Sequence, residues 1–297
     1  MTNASIDRRG LVLAIGAYAF WGVLPLYFHI LAGVPALQVL AHRVVWSVLL
    51  LVGIVVILKR GRAVLAAARG RTLLLLAASA GLIAVNWLVY IWAVQHGHVL
   101  EASLGYFINP LANVALGILV LGERLRKWQG IAIGVAGAGV LLMTLSGGGS
   151  IWISLVLAVS FALYGLVRKV VAIDSLGGLT VETLLLAPLC LAWLVYSAGH
   201  DATGFGQSLR LDVLILLAGV ITAMPLLMFA AAARRMPLST LGLIQYLAPT
   251  LQFVVALALG EPLRPVHFIV FPLIWAGCAL YAWDSVRAAR APQPQEA

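Results

Sequence analysis

Polar positions along this chain are sparse and clustered, and between them apolar runs of 18 or more residues recur from end to end. A helix needs a run of about that length to cross roughly 30 Å of hydrocarbon. The pattern predicts ten helical spans, near 10–31, 36–58, 72–94, 99–121, 129–146, 151–170, 178–198, 211–233, 238–259 and 266–286. The first follows Arg8 and Arg9, as the apolar core of a signal peptide would. It runs for about 22 residues, against roughly 7–15 in a cleaved segment, so it reads as a retained span.

Composition narrows the class further. The chain is 63% hydrophobic and 10% charged, with a mean hydropathy of +1.06. A soluble domain covers its core with roughly 25% charged residues, so a soluble fold is excluded. The net charge of +9 is explained by topology. With the N-terminus inside, sixteen Lys and Arg fall on the inner side, Arg210 and Arg264 on the outer side, and Arg43 within a span. That bias puts both termini in the cytoplasm and removes the need for a nucleic-acid partner. Cys190 and Cys278 lie inside spans and read as free thiols.

The Gly/Ser stretch LSGGGS (145–150) divides two similar halves. YFINPLANVALGILVLGE (106–123) and YLAPTLQFVVALALGE (246–261) both read Tyr, then Pro, then an apolar run closed by Gly-Glu. Pro110 and Pro249 lie 139 positions apart, and Glu123 and Glu261 lie 138 apart. A weaker echo pairs AYAFWG (17–22) with SFALYG (160–165). Each half holds five spans, an odd number, so the second half starts on the opposite side of the membrane. The predicted fold is an all-α polytopic membrane protein of ten transmembrane helices. It comprises inverted repeats at 10–146 and 150–286 with cytoplasmic tails at 1–9 and 287–297. Inverted repeats of this kind are common in secondary transporters, whose sites lie near the midplane.

Pro110 and Pro249 fall near the centres of spans four and nine, where each is expected to break the helix by freeing a carbonyl four residues earlier. Tyr106, Asn109 and Asn113 share one face of span four, and Gln245, Pro249 and Gln252 share one face of span nine, beside Tyr246. Singly, each amide reads as interhelical glue worth ~0.6 kcal/mol. As a set arranged twice beside two prolines, they read as the lining of a solute pathway. Asn86 and Tyr90 on span three extend it. Tyr18, Trp21, Pro25 and Phe28 form an aromatic stripe on span one that reads as core or as pocket wall.

Arg43, in HRVVWS (42–47), sits about two turns inside span two. An arginine at depth costs at least ~2.5–3.5 kcal/mol on insertion scales. It is expected to snorkel to the headgroups, to pair with Glu101 at comparable depth, or to meet an anionic group of the substrate, with His42 supporting any of these. Glu182 lies nearer the opposite face; Glu101 and Glu182 are the candidates for proton coupling. Gly130 and Gly134 form a GxxxG that predicts close helix packing, within the chain or in a homodimer.

The block NWLVYIWAVQHGHVLEASLGYFINPLANVALGILVLGERL (86–125), with FWGVLPLYF (20–28) and HRVVWS, resembles the RarD branch of the EamA-type transporters, in the drug/metabolite transporter superfamily. The resemblance covers essentially the whole chain. It implies a ten-helix inverted-repeat fold, inner-membrane placement and transport of small metabolites or drugs. Members of known activity often export amino acids and related compounds, and the RarD name is tied to chloramphenicol sensitivity. The resemblance supplies no agreed catalytic motif.

A secondary carrier is the leading expectation, with a bilayer and a small-molecule substrate as partners and no cofactor or metal. An exchanger for phosphorylated or anionic solutes is the alternative, resting on Arg43. HGHVLE (96–101) also matches the His-x4-acid spacing of membrane acyltransferases, with Glu in place of Asp. No GxxxxGK[ST] phosphate loop is present.

Overall fold

The computed structural model describes residues 8–121, 127–146, 150–199, 204–233, 235 and 244–290, and among these the only regular structure is helical. The helices are α1 (Arg8–Ile30), α2 (Ala36–Ile57), a short α3 (Gly61–Ala67), α4 (Gly70–Gln95), α5 (Val99–Leu121), α6 (Lys127–Leu145), α7 (Ile151–Val170), α8 (Ser175–Ala198), α9 (Leu209–Ala233), α10 (Leu247–Ala258) and α11 (His267–Arg290). Every predicted span overlaps one of these, and α3 was not anticipated. Seven of them are long and apolar enough to cross a membrane. Between 33 and 44% of each such span is buried within the protein, and the remainder is partly or fully exposed. The outward residues are apolar, as at Val12, Leu49, Val56, Leu74, Leu189 and Val195, which is the surface that lipid requires.

Contacts join distant parts of the chain. The main packing pairs are α6 with α11, α5 with α7 and α10, α2 with α8 and α9, α1 with α9 and α10, and α4 with α7 and α8. Glycines set the closest approaches. A Cβ at Gly105 would lie 2.8 Å from the Ser154 carbonyl on α7, one at Gly277 2.8 Å from the Ala132 carbonyl on α6, and one at Gly219 2.7 Å from the Trp46 backbone on α2. Gly130 and Gly134 would meet nothing within 4 Å. The GxxxG therefore makes no close helix contact among the described residues; Gly139 and Gly277 do that work between α6 and α11.

The Gly-Glu pair that closes the second half has a physical role. Gly260 ends α10 with φ +81°, a left-handed turn that suits a residue without Cβ. The Glu261 N–H returns to the Ala256 carbonyl at 3.1 Å. Its carboxylate then accepts the first free N–H groups of α5, from Val99 at 2.6 Å and Leu100 at 2.8 Å. An anion at a helix N-terminus satisfies orphan donors and opposes the helix dipole. Burial pushes the Glu261 carboxyl above the usual carboxylate range, while those two N–H donors pull it back. Glu123, its counterpart in the first half, lies outside the described residues.

The prolines behave differently from one another. At Pro249 the chain is interrupted: Gln245 and Tyr246 form a turn, and α10 starts at Leu247. The Gln245 carbonyl, which proline cannot serve, accepts from the Ala248 N–H at 3.2 Å instead. By contrast, α5 runs unbroken from Val99 to Leu121, so the break expected at Pro110 does not occur. Proline removes a single rung, and packing against α7 and α10 holds the rest of the ladder.

Gly105→Leu is expected to force α5 from α7 and cost about 1–3 kcal/mol, whereas Gly134→Leu is expected to be tolerated. Thermal unfolding of the two purified variants in one detergent checks this; equal loss in both would refute the close approach at Gly105.

Candidate functional site

Helix α2 brings Arg43 seven residues in from its start, a depth of ~10 Å at about 1.5 Å per residue. The side chain is buried, with 5% relative exposure, so it does not snorkel. Neither does it pair with Glu101, whose carboxylate meets His98 Nδ1 at 3.6 Å. Arg43 Nε instead donates to Thr222 Oγ1 on α9 at 2.7 Å. Its guanidinium lies over the Trp87 ring at 4.3 Å and the Phe28 ring at 5.7 Å. A desolvated cation–π contact contributes about 2 kcal/mol, comparable with the lower estimates of the insertion cost. Nη1 has no hydrogen-bond partner.

Aromatic residues from α1, α4, α5 and α7 surround this group. Phe28 meets Tyr90 edge-on at 5.9 Å, Tyr90 meets Tyr106 at 5.6 Å, and Tyr106 meets Phe161 at 6.0 Å. The phenols of Tyr27, Tyr90 and Tyr106 lie within electrostatic range of the guanidinium. The Tyr106 hydroxyl donates to Asn86 Oδ1 at 3.2 Å. Asn86 Nδ2 donates to the Leu157 carbonyl and to Ser160 Oγ, both at 3.0 Å. Asn86 is thus fully used in joining α4, α5 and α7, while the Tyr90 hydroxyl is buried without a partner.

A second group lies where α5 crosses α10. Phe107 and Tyr246 stack at 6.5 Å, and Ser103 Oγ donates to the Pro249 carbonyl at 3.2 Å. Gln252 Nε2 donates to the Trp21 carbonyl at 3.1 Å. Gln252 Oε1 and Asn109 Oδ1 are buried and unpartnered. Trp21 and Tyr18 pack edge-on at 5.5 Å and share Phe229 of α9 as a neighbour, each at 6.0 Å. Gln245 is half-buried at the turn. The side chains of Asn113 and Pro110 lie outside the described set.

Other expected residues are placed elsewhere. His42 points away from Arg43 and stacks on Phe205 at 5.6 Å, in the loop before α9. Glu182 is fully buried on α8. It accepts from Ser79 Oγ at 2.5 Å, Tyr164 at 3.4 Å and Arg168 Nη1 at 3.5 Å. The network continues from Arg168 Nη2 to the Asp174 carbonyl at 3.2 Å and from the Asp174 carboxylate to Arg60. The His-x4-acid pair is not assembled, since His96 Nδ1 contacts the Trp92 carbonyl at 2.8 Å and Glu101 faces His98. Among the described residues, no group of three or more His, Cys, Asp or Glu is placed to hold a metal ion.

Sequence reasoning missed Thr222, Trp87, Ser79 and Glu261. Only Glu261 left a signal, as the second Gly-Glu; the others are common residues made polar partners by long-range packing.

The model of the EamA-like transporter family matches residues 8–145. The chain is 43% identical to protein RarD of Salmonella typhi, over 97% of this chain and 99% of that one. It is 36% identical to the chloramphenicol-sensitive protein RarD of Pseudomonas aeruginosa, over 96% of this chain and 97% of that one. A crystal structure with 18% identity superposes at TM-score 0.59, covering 94% of this chain and 98% of the other, and so shares its fold. By this near full-length similarity the chain belongs to the RarD branch of the EamA-like transporter family, in the drug/metabolite transporter superfamily, and is a multi-pass protein of the bacterial inner membrane.

Proposed function

We propose that this protein is a secondary transporter moving amino-acid-like or amphiphilic solutes, chloramphenicol-like compounds among them, by alternating access. Besides Trp46 Nε1, Ser47 Oγ and the Tyr246 hydroxyl, four buried polar atoms among the described residues lack hydrogen-bond partners and carry this reading: Arg43 Nη1, the Tyr90 hydroxyl, Asn109 Oδ1 and Gln252 Oε1. They lie on α2, α4, α5 and α10, which derive from both halves of the chain. A buried polar atom without a partner costs about 1–3 kcal/mol, a cost that a passing solute relieves.

The architecture proposed with it is two inverted five-helix repeats, 10–146 and 150–286, with both termini cytoplasmic. The packing supports this reading. Exchanging α1, α2, α4, α5 and α6 for α7, α8, α9, α10 and α11 carries every main packing pair onto another or onto itself. Phe107 and Tyr246, which stack at the α5–α10 crossing, are 139 positions apart, as are the two prolines. Symmetry of that kind lets one backbone adopt two mirrored states at little difference in free energy. The name of the Pseudomonas relative is what brings chloramphenicol-like solutes into the substrate range.

For coupling, Glu101 is favoured over Glu182. Glu182 is held by three donors, one of them the Arg168 cation, and serves as a fixed anion. Glu101 meets His98 at 3.6 Å and lies within electrostatic range of Glu261 and His267, and no Lys or Arg pairs with it among the described residues.

Asn109→Leu is expected to lower transport in proteoliposomes about tenfold or more at unchanged expression. Asn86→Leu, which strands Ser160, Tyr106 and the Leu157 carbonyl, is expected to cost about 1–3 kcal/mol of stability instead. Normal transport by Asn109→Leu would return that amide to a packing role. Glu101→Gln is expected to abolish accumulation driven by a pH gradient while leaving downhill exchange intact. Undiminished uphill transport would remove Glu101 from coupling.

A further inference from the structure

Arg43 and Glu182 are each the eighth residue of their helices, α2 and α8, and lie 139 positions apart, the same offset as Pro110 and Pro249. Each is hydrogen-bonded to a hydroxyl from the other half of the chain: Arg43 to Thr222 on α9, and Glu182 to Ser79 on α4. The two positions are structural counterparts with opposite charges, and they differ in how that charge is balanced.

Glu182 has a countercharge in the protein, the Arg168 guanidinium, and a further phenol donor in Tyr164. Arg43 has none. Among the described residues no carboxylate lies within ion-pairing distance of it, and its remaining contacts are the faces of Trp87 and Phe28. Ring faces attract a cation without hydrogen-bonding its N–H groups, so Nη1 stays unserved. The Tyr90 hydroxyl, within electrostatic range of the guanidinium, is also buried without a partner.

Resting on the carrier reading, we propose that Arg43 Nη1 and the Tyr90 hydroxyl form the subsite for the carboxylate of a small solute with an apolar body. The cluster offers a single cation, which matches one negative charge; a phosphate dianion would need more. Thr222 holds Nε and Trp87 holds the plane, so the guanidinium is oriented before the solute arrives. Phe28, Tyr106 and Phe161 supply apolar wall for the rest of the molecule. The carboxylate supplies to Arg43 what Arg168 supplies to Glu182.

The test uses the full chain in lipid nanodiscs and matched acid–amide pairs: benzoate and benzamide, 3-phenylpropanoate and 3-phenylpropanamide, L-phenylalanine and L-phenylalaninamide, L-leucine and L-leucinamide. Affinity is read by calorimetry. At least one acid is expected to bind roughly ten- to hundredfold more tightly than its amide, the scale of a charge-assisted hydrogen bond. Arg43→Gln should erase that ratio, and Tyr90→Phe, which keeps the ring and the fold, should reduce it several-fold. The proposal is overturned if no acid outbinds its amide. It is equally overturned if the ratio survives Tyr90→Phe and, where that variant folds, Arg43→Gln, or if inorganic phosphate binds more tightly than every acid. Counterflow in proteoliposomes separates the two readings. Counterflow of chloramphenicol without acid preference sinks this subsite and leaves the carrier, whereas Arg43-dependent acid binding with no counterflow of any solute sinks the carrier alone.

Discussion

Hydrocarbon offers no hydrogen bonds, and that one constraint organises this molecule. Every polar group carried into the membrane must be served by the protein, by water or by a solute. Most are served internally. Asn86 engages three partners, Ser154 Oγ donates to the Glu101 carbonyl at 2.6 Å, and Glu182 engages two hydroxyls and a guanidinium. Against that background the unserved atoms of Arg43, Tyr90, Asn109 and Gln252 stand out.

The same constraint explains how the helices are held. Lipid gives no hydrophobic drive for helices to associate, so close packing through small residues carries the load. Gly105 against α7, Gly219 against α2 and Gly277 against α6 are such contacts, each between the two halves of the chain. Glu261 adds a polar tie from the α10–α11 loop to the N-terminus of α5. These attachments hold whole helices at their ends and flanks. The Gln245–Tyr246 turn, by contrast, leaves a joint in the backbone beside the α5–α10 crossing, where bending costs few hydrogen bonds.

The sequence carried the helices well, because length and hydropathy are set by the membrane and are written locally in the chain. It read Asn86 with Tyr90 and Tyr106 as a lining and Arg43 as a separate question, with interhelical glue as the other choice for any single amide. For Asn86 the choice depended on Ser160 and Leu157, more than seventy positions away. The hydrogen-bond partner of Arg43 was hidden for the same reason. Thr222 is 179 positions distant, and no local pattern marks a threonine as the partner of an arginine. The expected break at Pro110 failed because a proline states which hydrogen bond is lost, while the surrounding packing decides whether the helix yields. His42 shared a motif with Arg43 but not a helix face, and adjacent residues on a helix point about 100° apart.

The repeat is legible in its prolines, its Gly-Glu pairs and the amides Asn113 and Gln252, yet other site residues diverge between the halves. Arg43 answers to Glu182, and Phe107 to Tyr246. This division has a physical logic. The proposed alternating access asks the backbone to be symmetric, because the inward- and outward-facing states must lie close in free energy. A solute with a head and a tail is not symmetric, and side chains that recognise it cannot be duplicated across the two-fold without creating two competing sites. Residues that shape the backbone are therefore kept in both halves, while the charged position is free to diverge. On α8 the divergence produced a carboxylate paired from within by Arg168; on α2 it left a cation with no carboxylate in ion-pairing distance among the described residues, the place that the proposed solute carboxylate takes.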